Sequence, residues 1–219
     1  METDEQPLAI RAGTGLLEGV LGLPPQAVGI VVFAHGSGSG RFSPRNNAVA
    51  QALQQGGLAT VLLDLLMPEE ASDRRKIFDI HLLADRLLIA KNWLAHDART
   101  NALPLGYFGA STGAGAALEA AARDPGNVRA VVSRGGRPDL AEACLTQVHA
   151  PTLLIVGGDD GPVIDMNRTA LTRLKCPKEL VIIPGASHLF EEPGTLELVA
   201  KRALEWFLRY LPSTKTVSQ

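Results

Sequence analysis

The sequence predicts an α/β protein, a mainly parallel twisted sheet of about 7–8 strands with helices on both faces and no cap domain. Three observations predict it. Short runs rich in β-branched residues alternate with longer segments of helical period, the pattern of strand–helix–strand crossovers. Most of these runs are apolar throughout, as expected of strands covered on both faces. Glycines cluster at 36–40, 109–115, 135–136 and 157–158, where such runs end. In such a sheet that edge is where ligands bind.

In chain order, residues 7–23 read as one or two weaker strands around a Gly13-Thr14-Gly15 turn, antiparallel at an edge. Strands follow at 29–34, 59–65, 105–109, 129–133, 152–156 and 179–183, each ended by Gly, Pro or Asp or by a polar loop. Helices are expected near 44–55, 73–96, 112–123, 138–146, 163–175 and 195–210. Within 73–96 the helical period sets Ile77, Ile80, Ala84, Leu87, Leu88 and Leu94 on one face and leaves Asp73, Arg74 and Arg86 for solvent. Residues 195–210 do likewise through Leu196, Val199, Ala203 and Phe207. The segment 134–151 has room for one helix and none for a cap. Residues 1–219 read as one domain, its core at about 25–211, with 1–6 and 212–219 as flexible tails.

Charge narrows the partners. With 21 Lys+Arg against 23 Asp+Glu the net charge is −2, so no basic excess exists to neutralise phosphates. Nucleic acid and membrane are therefore not expected as partners, and no apolar run reaches the length of a membrane span. The start, METDEQPLAI, lacks a basic segment followed by an apolar core, so no signal peptide is expected and the location is read as cytoplasmic. Cys144 and Cys176 form no metal or disulfide framework. No cofactor and no metal are expected, and the chain is read as a monomer or homodimer.

The sharpest chemical signal is Gly109-Ala110-Ser111-Thr112-Gly113, between the strand LPLGYF and an Ala-rich helix. It matches G-x-S-x-G in the strand–turn–helix context that lifts a serine hydroxyl above a sheet edge, beside a helix N-terminus. Downstream, PTLLIV ends in Gly157-Gly158-Asp159-Asp160, and ELVIIP ends in Gly185-Ala186-Ser187-His188. A serine, a carboxylate and an imidazole thus fall at one edge. That chemistry needs all three: the imidazole takes the serine proton, and the carboxylate fixes its tautomer. The run His35-Gly36-Ser37-Gly38-Ser39-Gly40 follows another strand. It fails as a nucleotide loop, because G-x-G-x-x-G would need glycine where Arg41 stands.

The motifs HGSGSG, GASTG, GGDDGPV and GASHLF, in this order over about residues 25–211, resemble an α/β-hydrolase, most closely the small lidless members grouped with dienelactone hydrolases. The resemblance implies Ser111 as nucleophile, His188 as base and, through the pattern G-G-x-D-x-x-V, Asp160 rather than Asp159 as the acid. It also implies an oxyanion hole made by the N–H groups of Ser37 and Thr112. Dienelactone hydrolase itself uses cysteine as nucleophile, so that enzyme's substrate does not carry over to a chain with serine at 111.

Other residues read more plainly. His35 is expected to shape its loop by hydrogen bonds, Asp64 to shape the neighbouring loop, and His81 to pack. Arg134 leaves two roles open, a bidentate clamp on a substrate carboxylate or an ion pair with Asp139. Phe190 is a candidate for lining the substrate pocket. The expected function is a carboxylesterase-like serine hydrolase acting on a small-molecule ester through an acyl-enzyme. Thioesterase, lactonase and peptidase reactions use the same three residues. A non-catalytic binding module on the same fold is the reading from another class.

Overall fold

A computed structural model of the chain describes residues 3–212. The described residues form eight strands: β1 (Asp4–Ala12), β2 (Gly15–Leu23), β3 (Ile30–Ala34), β4 (Ala59–Leu63), β5 (Leu105–Ala110), β6 (Val128–Arg134), β7 (Thr152–Gly157) and β8 (Lys178–Ile183). They join one sheet in the order β1-β2-β4-β3-β5-β6-β7-β8. The β1-β2-β4 end is antiparallel, and β4 to β8 are parallel. Every residue of β3, β4 and β5 is buried, whereas β1 alternates along its second half, which is what two covered faces and a half-open edge require. The helices are α1 (Pro44–Gln55), α2 (Arg74–Ile77), α3 (Ile80–Leu94), α4 (Thr112–Arg123), α5 (Gly161–Arg173) and α6 (Thr195–Tyr210), with a 3₁₀ segment at Pro138–Gln147.

Two apolar cores result, one on each face of the sheet. Val49 and Leu53 of α1 pack with Val199, Ala203 and Phe207 of α6 over Val31, Phe33 and Phe108. On the other face α3, α4 and α5 cover Val32, Val61 and Tyr107 through residues such as Leu87, Leu118 and Ala170. Among the described residues no helix is long and apolar enough to cross a membrane.

The structure departs from the sequence reading in four places. Residues 4–6, expected in a tail, begin β1 and pair with Leu23, Gly22 and Leu21; residues 1–2 and 213–219 of the expected tails lie outside the described residues. The helix expected at 73–96 divides, because two aspartates cap separate starts: Asp73 accepts the N–H of Arg75 and Asp79 that of Leu82, each at 2.9 Å. On α3 two side chains exchange their expected environments. Arg86 is buried against Glu70 at 3.2 Å rather than left to solvent, and His81 is exposed with Nδ1 2.7 Å from Glu119 rather than packed. Residues 138–147 form a 3₁₀ segment kinked at Ala141, not a regular helix.

The helix that follows Ser111 is set by a backbone contact. A Cβ at Gly113 would lie 2.1 Å from the carbonyl oxygen of Ala34 and 2.5 Å from that of His35. Main chain of a central strand cannot yield that distance. Gly113→Ala is therefore expected to cost about 3 kcal/mol or more, or to prevent folding. Gly161→Ala, with nothing within 4 Å of the added atom, is expected to stay within about 0.5 kcal/mol of wild type. Urea unfolding of both variants checks this, and a Gly113→Ala protein as stable as wild type would contradict the contact.

Candidate active site

Ser111 occupies the turn between β5 and α4 with φ 50° and ψ −121°, a left-handed conformation costing a non-glycine residue on the order of 1–3 kcal/mol. Its neighbours hold it there. The Ser111 N–H donates to the Arg134 carbonyl at 3.2 Å, and the Ser111 carbonyl accepts from Ala114 N–H at 3.1 Å and Arg137 N–H at 3.0 Å. The turn closes only with glycine behind it, since a Cβ at Gly109 would lie 2.4 Å from the Cα of Ala114. Although Ser111 stands at the N-cap position of α4, its side chain makes no capping bond. The hydroxyl is left free over the sheet edge.

Asp160 shows the same diversion. It stands at the N-cap of α5 without capping it, and its Oδ2 lies 2.6 Å from Nδ1 of His188. Asp159 is exposed to solvent. The pairing orients the ring so that Nε2 is left for a partner, and the aspartate accepts the hydrogen bond of Nδ1–H. His188 sits on a loop held by several bonds. Asp159 N–H donates to Ala186 O at 3.0 Å, Gly158 N–H to Ile183 O at 2.8 Å, and Ser187 N–H to the Glu192 carboxylate at 3.0 Å. A Cβ at Gly135 would lie 3.5 Å from Nδ1 and Cε1 of His188. The ring therefore lies over the residue next to Arg134, whose carbonyl receives the Ser111 N–H. The structure thus brings Ser111, Asp160 and His188 to one edge.

The glycine-rich loop faces this group. His35 Nε2 accepts the N–H of Leu65 at 3.2 Å, and its Nδ1 lies 3.0 Å from the Gly36 carbonyl. This fixes a neutral ring with the proton on Nδ1, and burial pushes its pKa down. Asp64 accepts the Arg41 N–H at 2.6 Å and pairs with its guanidinium, which pins the end of the loop as the sequence suggested. Beside it lies a cavity of about 370 Å³, lined by the aliphatic Leu16, Leu66 and Ile77 and by the charged Glu18, Arg41 and Asp64.

Three expected roles need correction. The Ser37 N–H, expected to be a free oxyanion donor, instead donates to Oγ1 of Thr112 at 3.0 Å, because α4 starts close enough to the loop for that hydroxyl to reach it. The signal for this was a hydroxyl residue directly after the nucleophile. Arg134 neither lines the cavity beside the glycine-rich loop nor pairs with Asp139, which is bound by Arg137 at 2.7 Å. Strand alternation turns Arg134 under the edge towards α1, where it is 8% exposed and Nη2 donates to Asn46 at 3.3 Å. Phe190 does not line the cavity beside the glycine-rich loop: with φ 56° it turns inward, 2% exposed, and anchors the His188 loop in the core. Arg45 and Asn46, which surround Arg134 from α1, carried no signal in the sequence.

Among the described residues Nε and Nη1 of Arg134 are buried without a hydrogen-bond partner. Burial first, and then the nearby charge of Arg45, push its pKa down to about 10. Below that pH the folded protein carries a charge that the unfolded chain holds at no such cost. Arg134→Met is therefore expected to raise the unfolding free energy at pH 7–8, by on the order of 1–3 kcal/mol. A loss of stability on urea unfolding would mean that the guanidinium is compensated. His35 shifts in the same direction at lower pH: burial favours its neutral form in the folded state, so stability is kept above pH 6.5 and lost as pH falls below it. His35→Gln is expected to flatten that part of the stability–pH profile, and an unchanged slope would argue against it.

Comparison with known proteins agrees with this architecture. The family model described as the dienelactone hydrolase family matches residues 17–215. A dienelactone hydrolase of Anabaena variabilis, known as a crystal structure, is 58% identical; the match covers 96% of this chain and all of that one, with a TM-score of 0.94. XC6422 of Xanthomonas campestris, described as an α/β serine hydrolase without lid, is 21% identical with a TM-score of 0.76 over 98% of each chain, a likeness of fold. A Mycobacterium tuberculosis protein provisionally named a phosphoribosyl transferase is 56% identical over 94% of this chain but only 47% of its own length. This chain thus spans about half of that curated relative. With the lidless α/β sheet, the serine turn and the Asp160–His188 pair in place, the chain belongs to the dienelactone hydrolase family.

Proposed function

We propose that the chain is a serine hydrolase that cleaves carboxylic esters of small or soluble substrates through an acyl-enzyme. The observation that carries this reading is the Asp160–His188 pair at 2.6 Å, set over Gly135 at the same sheet edge as the uncapped hydroxyl of Ser111. Ser111 Oγ adds to the ester carbonyl carbon while its proton passes to Nε2 of His188, and the carbonyl electrons move onto oxygen. When the tetrahedral species collapses, the C–O bond to the alcohol breaks and the imidazolium returns its proton to the leaving alkoxide. Water then adds to the acyl carbon with His188 again taking the proton, and collapse releases the acid and restores Ser111. Asp160 holds the ring in the required tautomer and supports the imidazolium.

The cavity beside the glycine-rich loop supports small substrates with both apolar and polar groups, since aliphatic and charged residues together line it. Thioesters and lactones present the same carbonyl to the same groups, so ester preference is a matter of that cavity. The phosphoribosyl transferase name is said of a protein about twice as long, and no observation in this site favours such a transfer.

Turnover of p-nitrophenyl acetate tests the reading. Ser111→Ala is expected to lose on the order of 10⁴-fold or more in kcat with its circular dichroism unchanged. Asp160→Asn is expected to lose on the order of 10⁴-fold through the wrong tautomer, and exposed Asp159→Asn far less. Equal losses at 159 and 160 would move the acid elsewhere. A wild-type protein without turnover on a panel of esters, thioesters and lactones would favour a binding module.

A further inference from the structure

The bond from Ser37 N–H to Thr112 Oγ1 changes which groups can face an oxyanion. The backbone of residues 36–37 lies over the nucleophile, as a Cβ at Gly36 would be 3.1 Å from Cβ of Ser111 and 3.2 Å from the Ala110 carbonyl. The tetrahedral oxygen formed by Ser111 must therefore lie between this loop and the first turn of α4. One donor there is the N–H of Thr112, which as the first residue of the helix has no intrahelical partner. The other main-chain donor, Ser37 N–H, is engaged by Oγ1 of Thr112 at 3.0 Å. A hydroxyl that accepts one hydrogen bond still has its own proton to give. Among the described residues Oγ1 makes no second hydrogen bond, and Thr112 lines the same cavity as Ser37.

We propose that the Thr112 side chain is a catalytic donor: Oγ1 accepts a hydrogen bond from the N–H of Ser37 and donates one through its own O–H to the oxyanion, beside the Thr112 N–H. The proposal rests on the acyl-enzyme reading above and goes beyond it in naming the donor. Thr112 is 3% exposed and β-branched, so packing restricts its side-chain torsion and the hydroxyl needs little reorganisation. Accepting from Ser37 polarises the O–H bond and strengthens it as a donor. The arrangement lets one residue supply two hydrogen bonds to the oxyanion, and it makes Ser37 a positioning residue whose N–H acts through Thr112.

The experiment is a series at position 112, read as kcat and KM for p-nitrophenyl acetate with thermal melts alongside. Thr112→Val keeps the shape, removes the proton and blocks Ser37 N–H with a methyl group. Its kcat is expected to fall about 100-fold with KM changed much less, the cost of an oxyanion donor. Thr112→Ala also loses the hydroxyl but uncovers Ser37 N–H for the substrate, so it is expected to lose less than valine. Thr112→Ser, which keeps the hydroxyl, is expected to lose least. A hydroxyl that merely holds the loop leaves Ser37 N–H as the oxyanion donor, so alanine, which uncovers that N–H, then keeps the kcat of the serine variant, and this outcome overturns the proposal. Valine equal to or better than alanine in kcat overturns the proposal. If the valine variant does not fold, Thr112→Cys, which has the shape of serine and a much weaker donor, is compared with Thr112→Ser; a large kcat loss relative to serine supports the proposal and an undiminished kcat overturns it. These outcomes are separate from the parent reading, which falls instead if turnover survives in Ser111→Ala.

Discussion

The contact on which the site depends is between two pieces of backbone. The N-terminus of α4 is pressed against the carbonyls that end β3, so closely that Gly113 has no room for a side chain, and Gly36 leans in the same way on Ala110 and Ser111. This approach forces the left-handed turn at Ser111, sets the helix N-terminus beneath the nucleophile and brings the side chain of Thr112 to the N–H of Ser37. Because the contact is made by main chain in buried, hydrogen-bonded strands, it holds its geometry without help from flexible side chains. A pre-organised donor site of this kind needs no rearrangement when charge develops on the substrate.

Function is drawn from two helix starts that forgo their caps. Ser111 and Asp160 are residue types that usually cap a helix, and both stand at the capping position, yet neither does so. A missing cap typically costs about 1 kcal/mol, and the left-handed serine adds to that. Burial on both faces of the sheet offsets these costs. Elsewhere, where no chemistry is at stake, Ser43, Asp73 and Asp79 do cap their helices. The contrast marks the carboxyl edge of the sheet as the place where stability has been given up for reactivity. The buried guanidinium of Arg134 lies at that same edge.

Much of this was legible in the sequence because glycine and polar punctuation encodes local geometry. GASTG, GGDD and GASH each mark a strand end, and the structure brings their Ser, Asp and His to one edge of the sheet, with Asp160 bonded to His188. Asp64 and His35 also do as their loops suggested. What could not be read depends on facts that are not local. Arg134 turns away from the edge because strand alternation sends Ser133 and Arg134 to opposite faces of the sheet. Phe190 turns inward because of a positive φ that nothing in GASHLF announces. The bond from Ser37 to Thr112 joins residues 75 positions apart and depends on one side-chain torsion. The helix over 73–96 reads as continuous because apolar period outweighed a single aspartate, yet the capping bond of Asp79 divides it.

The central claim is that Ser111 carries the acyl group. It is tested most directly by rapid quenching of the protein with p-nitrophenyl acetate in the first turnover, followed by peptide mass spectrometry. The account predicts an acetyl group on Ser111 that forms with the nitrophenol burst and disappears as turnover proceeds. Turnover with Ser111 unmodified, or a competent acetyl group on any other residue, would contradict it.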